Sequence, residues 1–207
     1  MNGDTAQARI YAGYAKTAER VGHLYEHFRS ADRLDPLSEV NRLPALACSF
    51  STLTRPFVAT AKWSDETWLL WADGRELQPR DFLRGAYCTY YVGDMQPNLP
   101  IQAVRCTHTA VSIVRPDPTL GTDPAVIASN LPFALKLKSV NVKPLAGAGA
   151  ASTGGIGISN WLAFIPMEEA TLKRCDVITD AEGVQYEVDA PAWTPMGYVA
   201  QVRLANP

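Results

Sequence analysis

The stretch DVITDAEGVQYEV, residues 176–188, carries the strongest secondary-structure signal in this chain of 207 residues. Runs of β-branched and aromatic residues flank DAEG, whose Gly183 suits the left-handed conformation that closes a short loop. After the loop, Val184, Tyr186 and Val188 alternate with polar residues, which is the period of a half-buried strand. The stretch therefore predicts a β-hairpin.

Similar signals extend through most of the chain from residue 56 onward. Segments rich in aromatic or β-branched residues are WLLWADGREL, AYCTYYV, TAVSIVR and YVAQVRL. Before them, residues 4–21 predict a helix with Ile10, Tyr14 and Ala18 on one face and Gly22 at its end. Residues 23–55 have poor periodicity and predict an extended arm.

The second half of the chain repeats the first in order. The matched segments are 56–58 with 132–134, 68–71 with 161–164, 80–83 with 174–178, 90–92 with 186–188, and 104–105 with 202–203. The offset between matched segments drifts slowly, as expected of an internal duplication with insertions. The first and second matched segments lie farther apart in the second copy than in the first, which predicts an insertion over 142–158 in the second copy.

These patterns together predict a mainly β fold with an N-terminal helix and arm, then two small β-barrel or sandwich domains related by internal duplication. The predicted boundaries are 1–55 for the helix and arm, 56–115 for the first β domain, 116–130 for a Pro/Asp linker and 131–207 for the second.

Composition excludes several classes of protein. The 19 basic and 21 acidic residues are interleaved, so neither a nucleic-acid surface nor a membrane surface is predicted. No apolar run has the length of a signal peptide or a membrane span, which indicates synthesis in the cytoplasm. The four cysteines are widely spaced and are interpreted as buried, reduced thiols.

The glycine-rich stretch LAGAGAASTGGIG, residues 145–157, raises the question of nucleotide binding. A phosphate loop needs a helix directly behind it and, in the Walker type, a lysine; the glycines at 154, 155 and 157 disfavour the helix and no lysine lies between Lys143 and Lys173. The stretch is interpreted instead as a loop available for contacts. No cofactor is predicted.

Other combinations of potentially catalytic or metal-binding residues give equally weak signals. His23 and His27 have helical metal-pair spacing but follow a helix-ending glycine, so they are interpreted as surface histidines. Glu168 and Glu169 are interpreted as a solvated turn, because neighbours in sequence point apart. Neither catalytic nor metal-binding residues are predicted. Trp193, in a proline-flanked loop, is interpreted as a core residue, with an interface anchor as the alternative.

The closing segment CDVITDAEGVQYEVDAPAWTPMGYVAQVRL resembles the end of tailed-phage head completion proteins, the connectors or adaptors of the neck. The segments ARIYAGYAKTAERVG and LQPRDFLRGAYCTYYVGDMQPNLPIQAVR are also similar to phage neck or minor structural proteins. The resemblance implies a β-barrel subunit in a ring, commonly twelvefold, below the portal. Such a ring seals or extends the DNA channel and carries the tail.

On this resemblance, the expected function is that of a non-enzymatic head-tail connector in the virion neck, assembled in the host cytoplasm. Its partners would be copies of itself, portal or tail proteins, and passing DNA, with no membrane. The alternatives are another virion structural protein, such as a tail completion, collar or capsid decoration protein, and an enzyme with a β-barrel pocket. The candidate interaction residues lie in the loop, in the helix and arm, and near the C-terminus: Leu145, Gly147, Gly149, Ser152, Gly154, Gly155, Ile156, Tyr11, Tyr14, Phe28, Leu37 and Trp193.

Overall fold

A computed structural model of the chain describes residues 3–30, 33–52, 67–116, 123–137 and 161–205. Within these residues one α-helix is followed by β-strands, and the fold is mostly β, as predicted. The elements are α1 (Gly3–Val21), β1 (His23–Phe28), β2 (Arg42–Thr52), β3 (Thr67–Trp71), β4 (Phe82–Arg84), β5 (Thr89–Asp94), β6 (Ile101–Cys106), β7 (His108–Arg115), β8 (Ala125–Leu137), β9 (Trp161–Ile165), β10 (Val177–Asp180), β11 (Gln185–Thr194) and β12 (Gly197–Leu204).

The strands form two closed antiparallel barrels of six strands each. Barrel 1 contains β1 to β6 in the order β1-β2-β3-β6-β5-β4, and β4 pairs with β1 to close it. Barrel 2 contains β7 to β12 in the order β7-β8-β9-β12-β11-β10, and β10 pairs with β7. Strand for strand the two orders are the same, so the prediction of two small barrels is confirmed and their topology is repeated.

Three of the five sequence matches join structurally equivalent residues. Trp68 and Trp161 occupy the same place on β3 and β9, and Tyr90 and Tyr186 do so on β5 and β11. In each barrel the tryptophan meets the tyrosine edge to face, with ring centroids 6.0 Å apart in barrel 1 and 6.3 Å apart in barrel 2. The third match aligns Asp81 with Asp176, directly before β4 and β10.

The first and last matches need correction. Residues 56–58 lie outside the described residues, and the strand pairing makes Ala47, not Pro56, the equivalent of Pro132, because these two residues oppose equivalent positions of β1 and β7. Likewise Val104 is equivalent to Arg203, one position beyond the predicted Val202. Short alternating β segments align nearly as well one register away, so sequence alone did not distinguish these choices.

The domain boundaries also differ from those predicted. The predicted arm, 23–55, contains β1 and β2, which belong to barrel 1. Strand β7 was placed in the predicted first domain, 56–115, but it is the first strand of barrel 2. Strand β8, also of barrel 2, starts inside the predicted linker, 116–130. Both β1 and β2 were missed because most of their residues are exposed or half-buried, which hides the alternation of a strand. Only Thr107 separates β6 from β7, so the barrels are joined without a linker.

Helix α1 packs against β2 and β3 of barrel 1. Tyr14 meets Trp71 edge to face, with ring centroids 4.9 Å apart. The helix ends at Gly22, as predicted, and a Cβ at that position would lie 2.5 Å from the carbonyl oxygens of Ala18 and Cys48. Glycine is required there because it lets the end of the helix approach β2.

One apolar cluster joins the two barrels. Phe82, Tyr91 and Val104 point away from the interior of barrel 1 and are buried in this cluster with Leu131 and Met167 of barrel 2. Barrel 1 also contains a second apolar cluster of its own. The barrels are therefore packed against each other through apolar side chains.

The same face of barrel 2 has the opposite character. The positions equivalent to Phe82, Tyr91 and Val104 carry Val177, Glu187 and Arg203. Here Arg203 Nη2 donates to Glu187 Oε1 at 3.0 Å, and this arginine side chain is 45% exposed. The apolar face of barrel 1 is therefore an intramolecular interface, whereas the equivalent face of barrel 2 is charged and faces solvent.

This difference predicts unequal effects of truncation at equivalent positions. We expect Phe82→Ala to lower the free energy of unfolding by about 3–5 kcal/mol, because a fully buried ring leaves a cavity between the barrels. The matched control, Val177→Ala, should cost about 1 kcal/mol or less, since Val177 is only half-buried. Urea denaturation followed by tryptophan fluorescence measures both. Equal effects of the two substitutions would contradict the shared apolar cluster.

Candidate functional site

Each barrel contains one buried aspartate held by an arginine. Asp81 is 1% exposed and accepts hydrogen bonds from Arg29 Nε at 2.8 Å and Nη2 at 2.7 Å. Asp176 is 0% exposed and accepts from Arg115 Nε and Nη2, both at 2.9 Å. These two bidentate pairs are called the Asp–Arg clamps. Each clamp joins the end of β1 or β7 to the start of β4 or β10, the strand pair that closes its barrel.

The surroundings of the two clamps are also repeated. The backbone N–H three residues before each aspartate, from Gln78 or Lys173, donates to its Oδ2. The Nη2 atom of each arginine also donates to a backbone carbonyl five residues before the aspartate, that of Glu76 or Thr171. The clamps are therefore satisfied structural sites, because the charge of each aspartate is matched by directed donors.

His27 distinguishes the clamp of barrel 1. Its side chain is 2% exposed and its Nε2 lies 2.8 Å from Asp81 Oδ2, so the interpretation of His27 as a surface histidine is wrong. The equivalent position in barrel 2 holds Ile113. Burial alone would raise the pKa of Asp81, but hydrogen bonds from Arg29, His27 and the Gln78 amide outweigh it and lower that pKa.

A groove of about 510 Å³ lies between the barrels. Two hairpin corners form its walls, β4–β5 from barrel 1 and β10–β11 from barrel 2, and the β6–β7 junction forms its floor. This volume lies within the range of small-ligand and peptide sites. Its lining residues include Leu37, Arg84, Tyr87, Cys88, Cys106, Thr107, His108, Pro132, Asp180 and Glu182.

The predicted interaction residues do not form one site. Those at 145–156 lie outside the described residues. Tyr11 and Tyr14 pack on barrel 1, with Tyr11 against Gly74, and Phe28 is fully buried, so these contacts are within the chain. Leu37 lines the groove, and Trp193 is 41% exposed on β11. Of the predicted interaction residues that the structure describes, Leu37 and Trp193 are the two positioned for a partner.

Tyr87 and Glu182 in the groove were missed by the sequence analysis. Each occupies a short hairpin corner, and the sequence contains no sign that the two corners meet. The repeat held a signal, because Asp81 and Asp176 are 95 positions apart and so are Tyr87 and Glu182. Tyr87 is an exposed aromatic residue, whereas Glu182 at the equivalent corner is an acid. The barrel fold does not require this difference between the two corners.

The cysteines are free in the structure. Cys48 is fully buried, and burial raises the pKa of its thiol to about 12. Burial also raises the pKa of Cys106, on the groove floor. Both thiols are therefore held protonated and unreactive. Cys175 is exposed, contrary to the prediction that all four are buried.

Comparison with known proteins adds no identity: no family model, curated protein or solved structure matches the chain. Among the described residues, no group of three or more His, Cys, Asp or Glu side chains could hold a metal ion. No helix in the described ranges is long and apolar enough to cross a membrane.

The clamp of barrel 1 predicts a pH-dependent stability. Because the pKa of Asp81 is lowered in the folded protein, its stabilisation is complete above the unfolded value of about 3.9 and is lost as pH falls through the folded value. We expect Asp81→Asn to cost about 3 kcal/mol or more at pH 7, because it breaks a buried pair. The difference from the native protein should shrink below about pH 4.

Urea titrations at several pH values test this expectation. Glu187→Gln is the control, since it removes a carboxylate from an exposed pair and should cost about 1 kcal/mol or less. If Asp81→Asn does not fold, Asp176→Asn provides the same test in barrel 2 at pH 7. A clamp variant as stable as the control variant would refute the role of the clamp.

Proposed function

We propose that this protein is a non-enzymatic structural subunit of a tailed-phage virion, a head-tail connector of the neck. In this role it would form a ring with copies of itself, bind the portal or tail proteins and surround passing DNA. The observation that carries the proposal is the joined double barrel, in which one apolar cluster connects the barrels and exposed side chains are suited to contacts. The resemblance of the C-terminal hairpin to neck proteins supports it.

Closed barrels favour assembly through side chains and loops. In both barrels every described strand pairs with two neighbouring strands, so neither sheet ends in an edge strand. Exposed apolar groups, such as Trp193 and Tyr87, are available for contacts between copies. This arrangement fits a subunit that is folded before it assembles.

The charge distribution is compatible with a channel through which DNA slides. The chain has a formal net charge of −2, and residues 145–157 contain no charged side chain. Affinity for phosphates rises with each lysine or arginine that a surface supplies. A ring that lines the channel with such a stretch would hold DNA weakly and allow it to pass.

The assembly proposal is tested by electron microscopy of the purified protein, alone and mixed with its portal. We expect rings, or a subunit that binds the portal and forms rings there. A protein that stays monomeric and does not bind the portal would contradict the proposal.

Deletion of residues 146–157 provides a more specific test. We expect a folded subunit that fails to assemble, because the stretch is proposed to make the contacts between subunits. Circular dichroism and urea denaturation would report folding, and sedimentation would report assembly. Trp193→Ala should also weaken assembly without unfolding, and Val126→Ala, at another exposed apolar residue, is its control. Loss of folding on deletion would show instead that the stretch belongs to the core.

A further inference from the structure

The two walls of the groove are equivalent hairpin corners of the two barrels. Tyr87 lies at the β4–β5 corner and Glu182 at the β10–β11 corner, and both line the groove. Equivalent corners thus line the same groove, one with an aromatic ring and the other with a carboxylate. The two corners line the same groove because the barrels are joined directly, with Thr107 as the one residue between β6 and β7.

Both corners are held in place by the barrels. Gly85 N–H donates to the Cys88 carbonyl at 2.9 Å, which closes the turn that presents Tyr87. The side chain of Tyr87 is 96% exposed. A ring displayed on a closed turn loses little freedom when a ligand binds, which favours binding.

The opposite corner is organised around Asp180. Its carboxylate accepts hydrogen bonds from the backbone N–H groups of Glu182 and Val184, at 2.9 and 2.8 Å. The hydroxyl of Tyr186 donates to the same carboxylate at 3.3 Å. Gly183 has a φ of 82°, as the hairpin prediction required. The backbone that carries Glu182 is therefore fixed, while its carboxylate is free to meet a ligand.

The arginine of the groove is paired, whereas its two carboxylates have no cationic partner among the described residues. Arg84 donates from Nε to Glu26 at 2.6 Å, so its charge is neutralised. Asp180 is 3% exposed and its donors come from its own hairpin. His108 Nδ1 lies 2.9 Å from the Thr107 hydroxyl. Within the described part of the chain, Glu182 has no ion-pair partner, and the groove therefore favours a cation.

We propose that the groove binds a cationic side chain, an arginine or lysine carried by an extended segment of a partner protein. The carboxylate of Glu182 pairs with the cation, and the ring of Tyr87 packs against its charged end or aliphatic stem. Leu37, which is half-buried, supplies apolar surface for the rest of the segment. The site extends beyond the proposed neck role and does not depend on it, since partners of many classes present such side chains.

Titration of the full-length protein with short blocked peptides tests the proposal. The probe is acetyl-Gly-Arg-Gly-amide, with the lysine peptide as a second cation and the citrulline peptide as a neutral match for arginine. We expect both cationic peptides to shift amide resonances of residues 84–89 and 180–183 in two-dimensional NMR spectra. The citrulline peptide should bind at least fivefold more weakly. Equal binding of citrulline and arginine, or shifts confined to other residues, would overturn the proposal.

Substitutions at the two corners separate the contributions. We expect Glu182→Gln to weaken arginine binding at least fivefold and Tyr87→Ala to weaken it about threefold to fivefold. Glu169→Gln, at an exposed acid outside the groove, should leave affinity unchanged. Full affinity in the Glu182→Gln variant would disprove the site. Ring formation by that variant, measured separately, reports on the neck proposal and not on this site.

Discussion

The closing strand pair of each barrel depends on one buried ion pair. In barrel 1, β4 is only three residues long, so its ladder to β1 contains three residue pairs. The Arg29–Asp81 clamp extends that contact beyond the ladder and satisfies a carboxylate which would otherwise be costly to bury. A six-stranded sheet without this closure would expose two strand edges, and exposed edges invite pairing with other chains. The clamp therefore contributes to the closure of each barrel.

The repetition of the clamp shows which features a barrel of this topology requires and which are free to change. Asp81 and Asp176, with their arginines and backbone donors, are matched bond for bond. The outer face is not matched, because Tyr91 and Val104 face barrel 2 whereas Glu187 and Arg203 face water. An apolar outer face on barrel 2 would be an exposed hydrophobic patch. The Arg203–Glu187 ion pair occupies this face instead. The equivalent face of barrel 2 is therefore not suited to pack against another barrel in the way that barrel 1 does.

The sequence predicted features that depend on neighbouring residues and missed contacts between residues far apart in the chain. The hairpin at 176–188, the helix ending at Gly22 and the middle of the repeat were predicted because turn glycines and alternation act over a few residues. The strands β1 and β2 were missed because their burial does not alternate cleanly. The pairing of His27 with Asp81 spans 54 positions and the groove joins corners 95 positions apart, and no local pattern encodes such contacts.

Equivalent positions of the two barrels provide an internal control for function. Interactions that hold a barrel together are the same in both copies: each barrel contains a tryptophan–tyrosine pair and an Asp–Arg clamp at equivalent positions. The corners that hold Tyr87 and Glu182 are equally well anchored, yet their exposed side chains differ in kind. Stability does not explain a tyrosine that is 96% exposed, since it buries almost nothing. Exposed corners of closed barrels are where side chains can recognise a partner, and this groove is lined by equivalent corners that differ both in loop length and in exposed side chain.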